Sequence, residues 1–175
     1  CSQQEFKGVR YAVCRVDLRQ AKLEVFNLNS AGQPYGQFAA LADGLQSEGR
    51  ELLFAMNAGM FNEELKPIGL YVEDGVQARK LNRRDGYGNF HLKPNGVFFV
   101  DGSRLGVMNT DDFARSGLKP DFATQSGPML VINGEIHPKF SETGASAKIR
   151  NGVGQLDEQT AVFVISDDAV NFYSF

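Results

Sequence analysis

Three two-residue turn signals, Asp74-Gly75, Asp101-Gly102 and Asn133-Gly134, constrain this chain more than any other feature. Both central residues of such a turn take positive φ, the geometry that joins adjacent antiparallel strands. Each signal follows an apolar or β-branched run: Ile68–Val72, Val97–Val100 and Met129–Ile132. The repeated strand–helix alternation of a doubly wound sheet is absent. The expected fold class is therefore α+β, a mainly antiparallel sheet built from hairpins with a few short helices. Fourteen Phe, five Tyr and nineteen Gly, without Trp, fit aromatic strands separated by tight turns.

Other elements follow from pattern. Tyr11–Leu18 alternates like a strand, and Lys22–Leu28 is expected to pair with it after the turn at Arg19-Gln20. Phe38, Leu41, Ala42 and Leu45 recur at helical spacing, and Gly49 supplies a stop. Glu51–Met56 reads as a short apolar strand. Thr110 is the expected N-cap of a brief helix through Ala114, closed by Gly117. Ala161–Ser166 and Val170–Phe175 read as a last hairpin around Asp167-Asp168.

The 175 residues fit one domain, 1–175, able to bury roughly 70% of the surface its unfolded chain exposes. A formal charge of −3 speaks against a nucleic-acid or anionic-membrane partner, though not against one local phosphate site. No apolar run approaches the ~20 residues of a membrane span. The opening Cys-Ser-Gln-Gln has the look of a processed or trimmed end. Two cysteines invite two readings: a Cys1–Cys14 bridge, which is favoured, or a lipid-bearing Cys1. Both place the protein outside the cytoplasm, periplasmic or secreted.

Three strand-end loops carry the polar groups. Asn57-Ala58-Gly59-Met60-Phe61 leaves Asn57 and Asn62 on either side of a glycine turn. Thr124-Gln125-Ser126-Gly127-Pro128 gathers hydroxyl and amide groups where a strand enters the sheet. Arg150-Asn151-Gly152-Val153-Gly154 can present a guanidinium fork beside exposed backbone N–H groups, which suits phosphate or carboxylate. Ser126 lacks a nucleophile elbow, so a serine hydrolase is disfavoured. His91 and His137 read as structural or surface histidines. No metal spacing occurs, and no cofactor is expected.

Taken in order, the segments NAGMF (Asn57–Phe61), PIGLYVEDG (Pro67–Gly75) and NFHLKPNGVFFVDG (Asn89–Gly102) resemble the phosphodiester glycosidase domain family. ATQSGPMLVINGEIH (Ala123–His137), IRNGVG (Ile149–Gly154) and AVFVISDDAVNFYSF (Ala161–Phe175) continue the resemblance. The family includes the lysosomal enzyme that uncovers mannose 6-phosphate and many exported bacterial proteins, some linked to exopolysaccharides. Its compact bacterial branch commonly carries an N-terminal Cys pair. The family pattern runs on into a Leu-Asp-Gly motif that this chain does not contain, which implies a C-terminally truncated domain and a site lacking that Asp.

The resemblance implies hydrolysis of a sugar 1-phosphodiester, of N-acetylglucosamine-1-phosphodiester type, at the anomeric carbon. Arg150 would neutralise the phosphate, with Asn57 beside it and Glu63 and Asp167 as the available carboxylates. Asn62, Gln125, Ser126, Gly127, Asn151 and Gly152 would hold the glycan phosphodiester. The rival reading is a non-catalytic periplasmic glycan-binding or envelope-assembly protein on the same scaffold.

Overall fold

Every strand pairing in the chain is antiparallel, both in the hairpins that the turn signals predict and in the long-range pairs. The computed structural model describes residues 1–175 throughout. The chain begins with β1 (Ser2–Phe6), β2 (Val9–Asp17) and helix α1 (Phe38–Ser47). Next come β3 (Tyr71–Glu73), β4 (Val76–Arg79), β5 (Gly96–Asp101), β6 (Arg104–Asn109) and helix α2 (Thr110–Ser116). The remainder is β7 (Phe122–Ser126), β8 (Val131–Ile132), β9 (Glu135–Ile136), β10 (Asn151–Gln155) and β11 (Thr160–Ser166). They form a four-stranded sheet β1-β2-β11-β10, a five-stranded sheet β4-β3-β7-β5-β6, and the small ribbon β8-β9.

The alternation along β5 explains how the layers assemble. Val97 and Phe99 point to one side, where they pack with Leu70, Val72, Ala123 and Phe113 of α2. The opposite side joins the two large sheets: Val100 and Leu105 meet Ala161 and Phe163, with Phe98, Cys14, Val16, Phe54 and Met56 around them. A strand buried on both faces needs apolar residues at consecutive positions, which is why Val97–Val100 is unbroken. Burying each such side chain stabilises the fold by ~1.5–3 kcal/mol.

All three turn signals form hairpins, with one shift. Asp74-Gly75 and Asn133-Gly134 occupy two-residue loops with positive φ at both residues. In the other, Asp101 pairs with Arg104, so the loop is Gly102-Ser103 and only Gly102 has positive φ. That is the primed turn with glycine at its first central position. Helix α1 and its stop at Gly49 (φ +73°) match expectation. Helix α2 is capped one residue earlier than expected: Asn109 accepts from the Asp112 N–H at 2.9 Å, and Gly117 closes the helix in the left-handed region.

Three expected strands are not formed. The first hairpin is β1–β2 around Lys7-Gly8, while Lys22–Leu28 pairs with no strand. The neighbour of β2 on its other side is β11, from the far end of the chain, so local pairing with Lys22–Leu28 loses the edge. Val170–Phe175 likewise finds β11 already paired on both edges, by β2 and β10, and keeps only the bridge from Val170 to Lys148. Glu51–Met56 is apolar but has no strand beside it, and a strand exists only through its partner.

Cys1 and Cys14 are joined by a disulfide. Its consequence is local: β1 is exposed at every residue, so only the ladder to β2 and this cross-link hold it. No helix is long and apolar enough to cross a membrane. Replacing the exposed Cys1 by Ser should lower unfolding stability by about 2 kcal/mol, because the bridge closes a short loop in the unfolded chain. Urea denaturation of C1S and of the reduced native chain should give the same loss. Unchanged midpoints in both would show that β1 is held by its ladder alone.

Candidate functional site

The three polar loops lie around one cleft of about 1650 Å³. Asn57–Phe61, Thr124, Ser126–Pro128 and Arg150–Gly154 all line it. Glycines allow two close approaches on this wall. A Cβ on Gly59 would sit 2.0 Å from Thr124 Oγ1 and 3.1 Å from the Gln125 carbonyl, and Gly59 has φ +67°. Space and backbone conformation both restrict that position to glycine. A Cβ on Gly152 would come within 2.9 Å of the Phe175 ring, so the Arg150 loop is pressed against the C-terminal aromatic, with Leu130 in ordinary contact at 3.8 Å.

Arg150 is the most heavily positioned residue on this wall. Its backbone N–H donates to Ser166 Oγ at 3.0 Å, and its carbonyl accepts from the Ser166 N–H at 2.9 Å. The guanidinium Nε donates to the Val170 carbonyl at 2.8 Å and Nη2 to the Ser146 carbonyl at 2.6 Å. Its central carbon lies 3.6 Å from the centroid of the Phe172 ring. The residue is only 8% exposed, and burial lowers its pKa from the ordinary guanidinium value. No carboxylate pairs with it. A withdrawn cation facing only neutral groups is under-compensated, and an anion reaching Nη1, which makes no hydrogen bond to protein, restores the balance.

Behind Phe172 stands a stack that the sequence did not announce. Phe172 stacks on Phe140 at 5.0 Å between centroids, and Phe140 stacks on His137 at 4.7 Å. His137 is 2% exposed. Its Nδ1 accepts from the Lys139 N–H at 3.1 Å, which assigns the ring proton to Nε2, 3.2 Å from the Lys93 carbonyl. His137, Phe140 and Phe172 thus form a column under the Arg150 guanidinium. These partners are separated in sequence by stretches with no common period, so no local pattern could have grouped them.

The other expected site residues are placed unequally. Asn57 is exposed on the cleft wall, as is Asn151 at the start of β10, an edge strand of its sheet. Ser126 and Gly127 also face the cleft. Asn62 is committed to its own turn, where Oδ1 accepts from the N–H groups of Glu64 and Lys66. Gln125 is 1% exposed and turned to the opposite side of β7 from Thr124. Its Oε1 accepts from the Leu70 and Asn82 N–H groups, and its Nε2 donates to the Asn82 carbonyl and Thr110 Oγ1. No polar atom of Gln125 is left for a ligand. Glu63 and Asp167 lie outside the cleft lining; Asp167 pairs with Arg10 at 3.4 Å. The carboxylates that do line it are Glu24, held by Arg50, Asp112, held by Asn109 and Arg115, and the exposed Glu51.

With that geometry established, comparison adds kinship. The phosphodiester glycosidase family profile matches residues 50–174, which contain all three loops. An Escherichia coli (strain K12) protein, YigE, described only as uncharacterized, is 40% identical over 160 residues. That match covers 91% of this chain and 62% of the relative, so the chain spans less than two thirds of the relative's length.

The ring under Arg150 should be measurable as a coupling. In a double-mutant cycle with Phe172→Leu and Arg150→Met, the interaction energy read from urea denaturation should be ~1–2 kcal/mol. Phe172→Tyr should retain it, because the face of the ring is kept. A coupling near zero would mean that the ring only fills space.

Proposed function

Because the chain belongs to the phosphodiester glycosidase family, we propose that it acts outside the cytoplasm on a sugar 1-phosphodiester, cleaving the bond at the anomeric carbon. The observation that carries this reading is Arg150 itself, a buried residue of the cleft lining whose guanidinium has no carboxylate partner. The phosphodiester is the counter-ion of Arg150, with its oxygens on the guanidinium and on the loop Asn151–Gly154. Asn57 and Ser126 face the sugar across the cleft.

The chemistry suits such a grip. A phosphate monoester leaves as a stable anion, so charge neutralisation contributes more than protonation of the leaving oxygen. As the glycosidic bond breaks, negative charge grows on the phosphate, and a fixed guanidinium stabilises that state more than the ground state. The column under Arg150 keeps the donor in place without reorganisation during the reaction. The oxocarbenium-like centre and the attacking water still call for a carboxylate. Glu63 and Asp167 stand outside the cleft that Arg150 lines, where the carboxylates are Glu24, Glu51 and Asp112.

That same observation favours a second reading: a non-catalytic protein that binds anionic glycans in the envelope. One experiment addresses both. Native chain and Arg150→Ala are given an N-acetylglucosamine-1-phosphodiester while binding and released phosphate monoester are followed. Hydrolysis that falls by ~100-fold or more in R150A supports the enzyme. Saturable binding that R150A abolishes, without turnover, supports the binding protein. Hydrolysis unaffected by R150A would remove Arg150 from the mechanism.

A further inference from the structure

Glu51–Met56 runs along the cleft with its backbone unused. No backbone N–H or carbonyl from Glu51 to Gly59 takes part in a hydrogen bond with the rest of the main chain, and no side chain reaches these groups. The run nevertheless has the two-residue repeat of a strand: Phe54 and Met56 pack on the core shared by the two sheets, whereas Leu53 is 71% exposed. The apolar surface beside it is extensive. Phe38, Leu53, Phe61, Leu65, Val131 and Ile149 are exposed large hydrophobics, and all six line this cleft.

From these features we infer that Glu51–Met56 is the docking edge for one more β-strand. The occupant is a strand of the kind supplied by the portion that the Escherichia coli relative carries outside the matched residues. The backbone decides the chemistry of the occupant. An apolar small molecule or lipid chain covers Leu53 and Ile149 but offers nothing to a row of peptide N–H and C=O groups. A polypeptide strand pairs with the N–H and C=O groups on the edge that faces it, those of alternate residues, and covers the apolar side chains as well. A second copy of this chain fits poorly, because its fully exposed edges, β1 (SQQEF) and β4 (VQAR), are polar. The relative has the material, since more than a third of its length lies beyond the match. Six residues of strand span roughly 20 Å, and the cleft has the volume to receive them. The docked strand would also wall the cleft from Asn57, the residue that follows Met56.

The test uses the 175-residue chain and overlapping synthetic peptides covering the residues of the relative that lie outside the match. Binding is followed by fluorescence polarisation, and the site by amide hydrogen exchange. The expected result is that one peptide binds saturably and slows exchange of alternate amides within Leu52–Met56 by ~10-fold or more. Leu53→Asp, at an exposed position where the fold does not depend on the side chain, should weaken that peptide by ~10-fold or more. Three results would overturn the inference: no peptide binds; a peptide binds but the Leu52–Met56 amides exchange as before; or these amides become protected only as the chain dimerises.

Discussion

A guanidinium withdrawn from water must face something, and at Arg150 it faces two backbone carbonyls and the ring of Phe172. The rest of the site depends on that arrangement. The carbonyls belong to Ser146 and Val170, on either side of the last two strands, so the side chain ties the ends of the β10–β11 hairpin together. Ser166 holds the Arg150 backbone in both directions, which fixes where the side chain starts. Neutral dipoles and a π-face attract a cation without cancelling its charge. The position is structurally occupied and electrostatically open, a combination suited to an anion that comes and goes.

The sheets supply the setting. β5 is buried on both faces, and its two sides sort the molecule into a core over α2 and a second core between the large sheets. The cleft opens where that second core lacks a cover, and there Phe54 and Met56 rest on it from a run with no strand partner. Glycine at 59 lets its loop close on Thr124 and Gln125, and glycine at 152 leaves room for the Phe175 ring. Kinship with the phosphodiester glycosidase family covers residues 50–174, whereas β1, β2 and α1 lie ahead of the match. β2 is nonetheless an inner strand of its sheet, paired to β11 through seven positions, so the matched region relies on it.

What the sequence disclosed depended on how local the signal was. Turns, the helix α1 and the polar loops are encoded within a few residues, and each was found close to its place. Strand partnership is not local. Lys22–Leu28 and Val170–Phe175 have suitable composition, yet β11 takes the β2 edge that the first would use, and β2 and β10 take both edges of β11 that the second would use. The same limit applies at the site. Arg150 was legible as an arginine in a glycine-bearing loop, but the Phe172–Phe140–His137 column joins residues without any shared period. Gln125 illustrates the converse. An amide at a strand end reads as a ligand contact, while its neighbours in space, Leu70, Asn82 and Thr110, use every polar atom it has.

The central claim is that Arg150 is an anion site, and its own side-chain resonance tests this most directly. The Arg150 Nε–Hε signal, assigned by its loss in R150A and displaced by the ring current of Phe172, should be followed while methyl phosphate is added. A saturable shift of this signal, accompanied by the amides of Asn151–Gly154, is the predicted result. A saturating shift at the surface arginines with Arg150 unmoved would contradict the account.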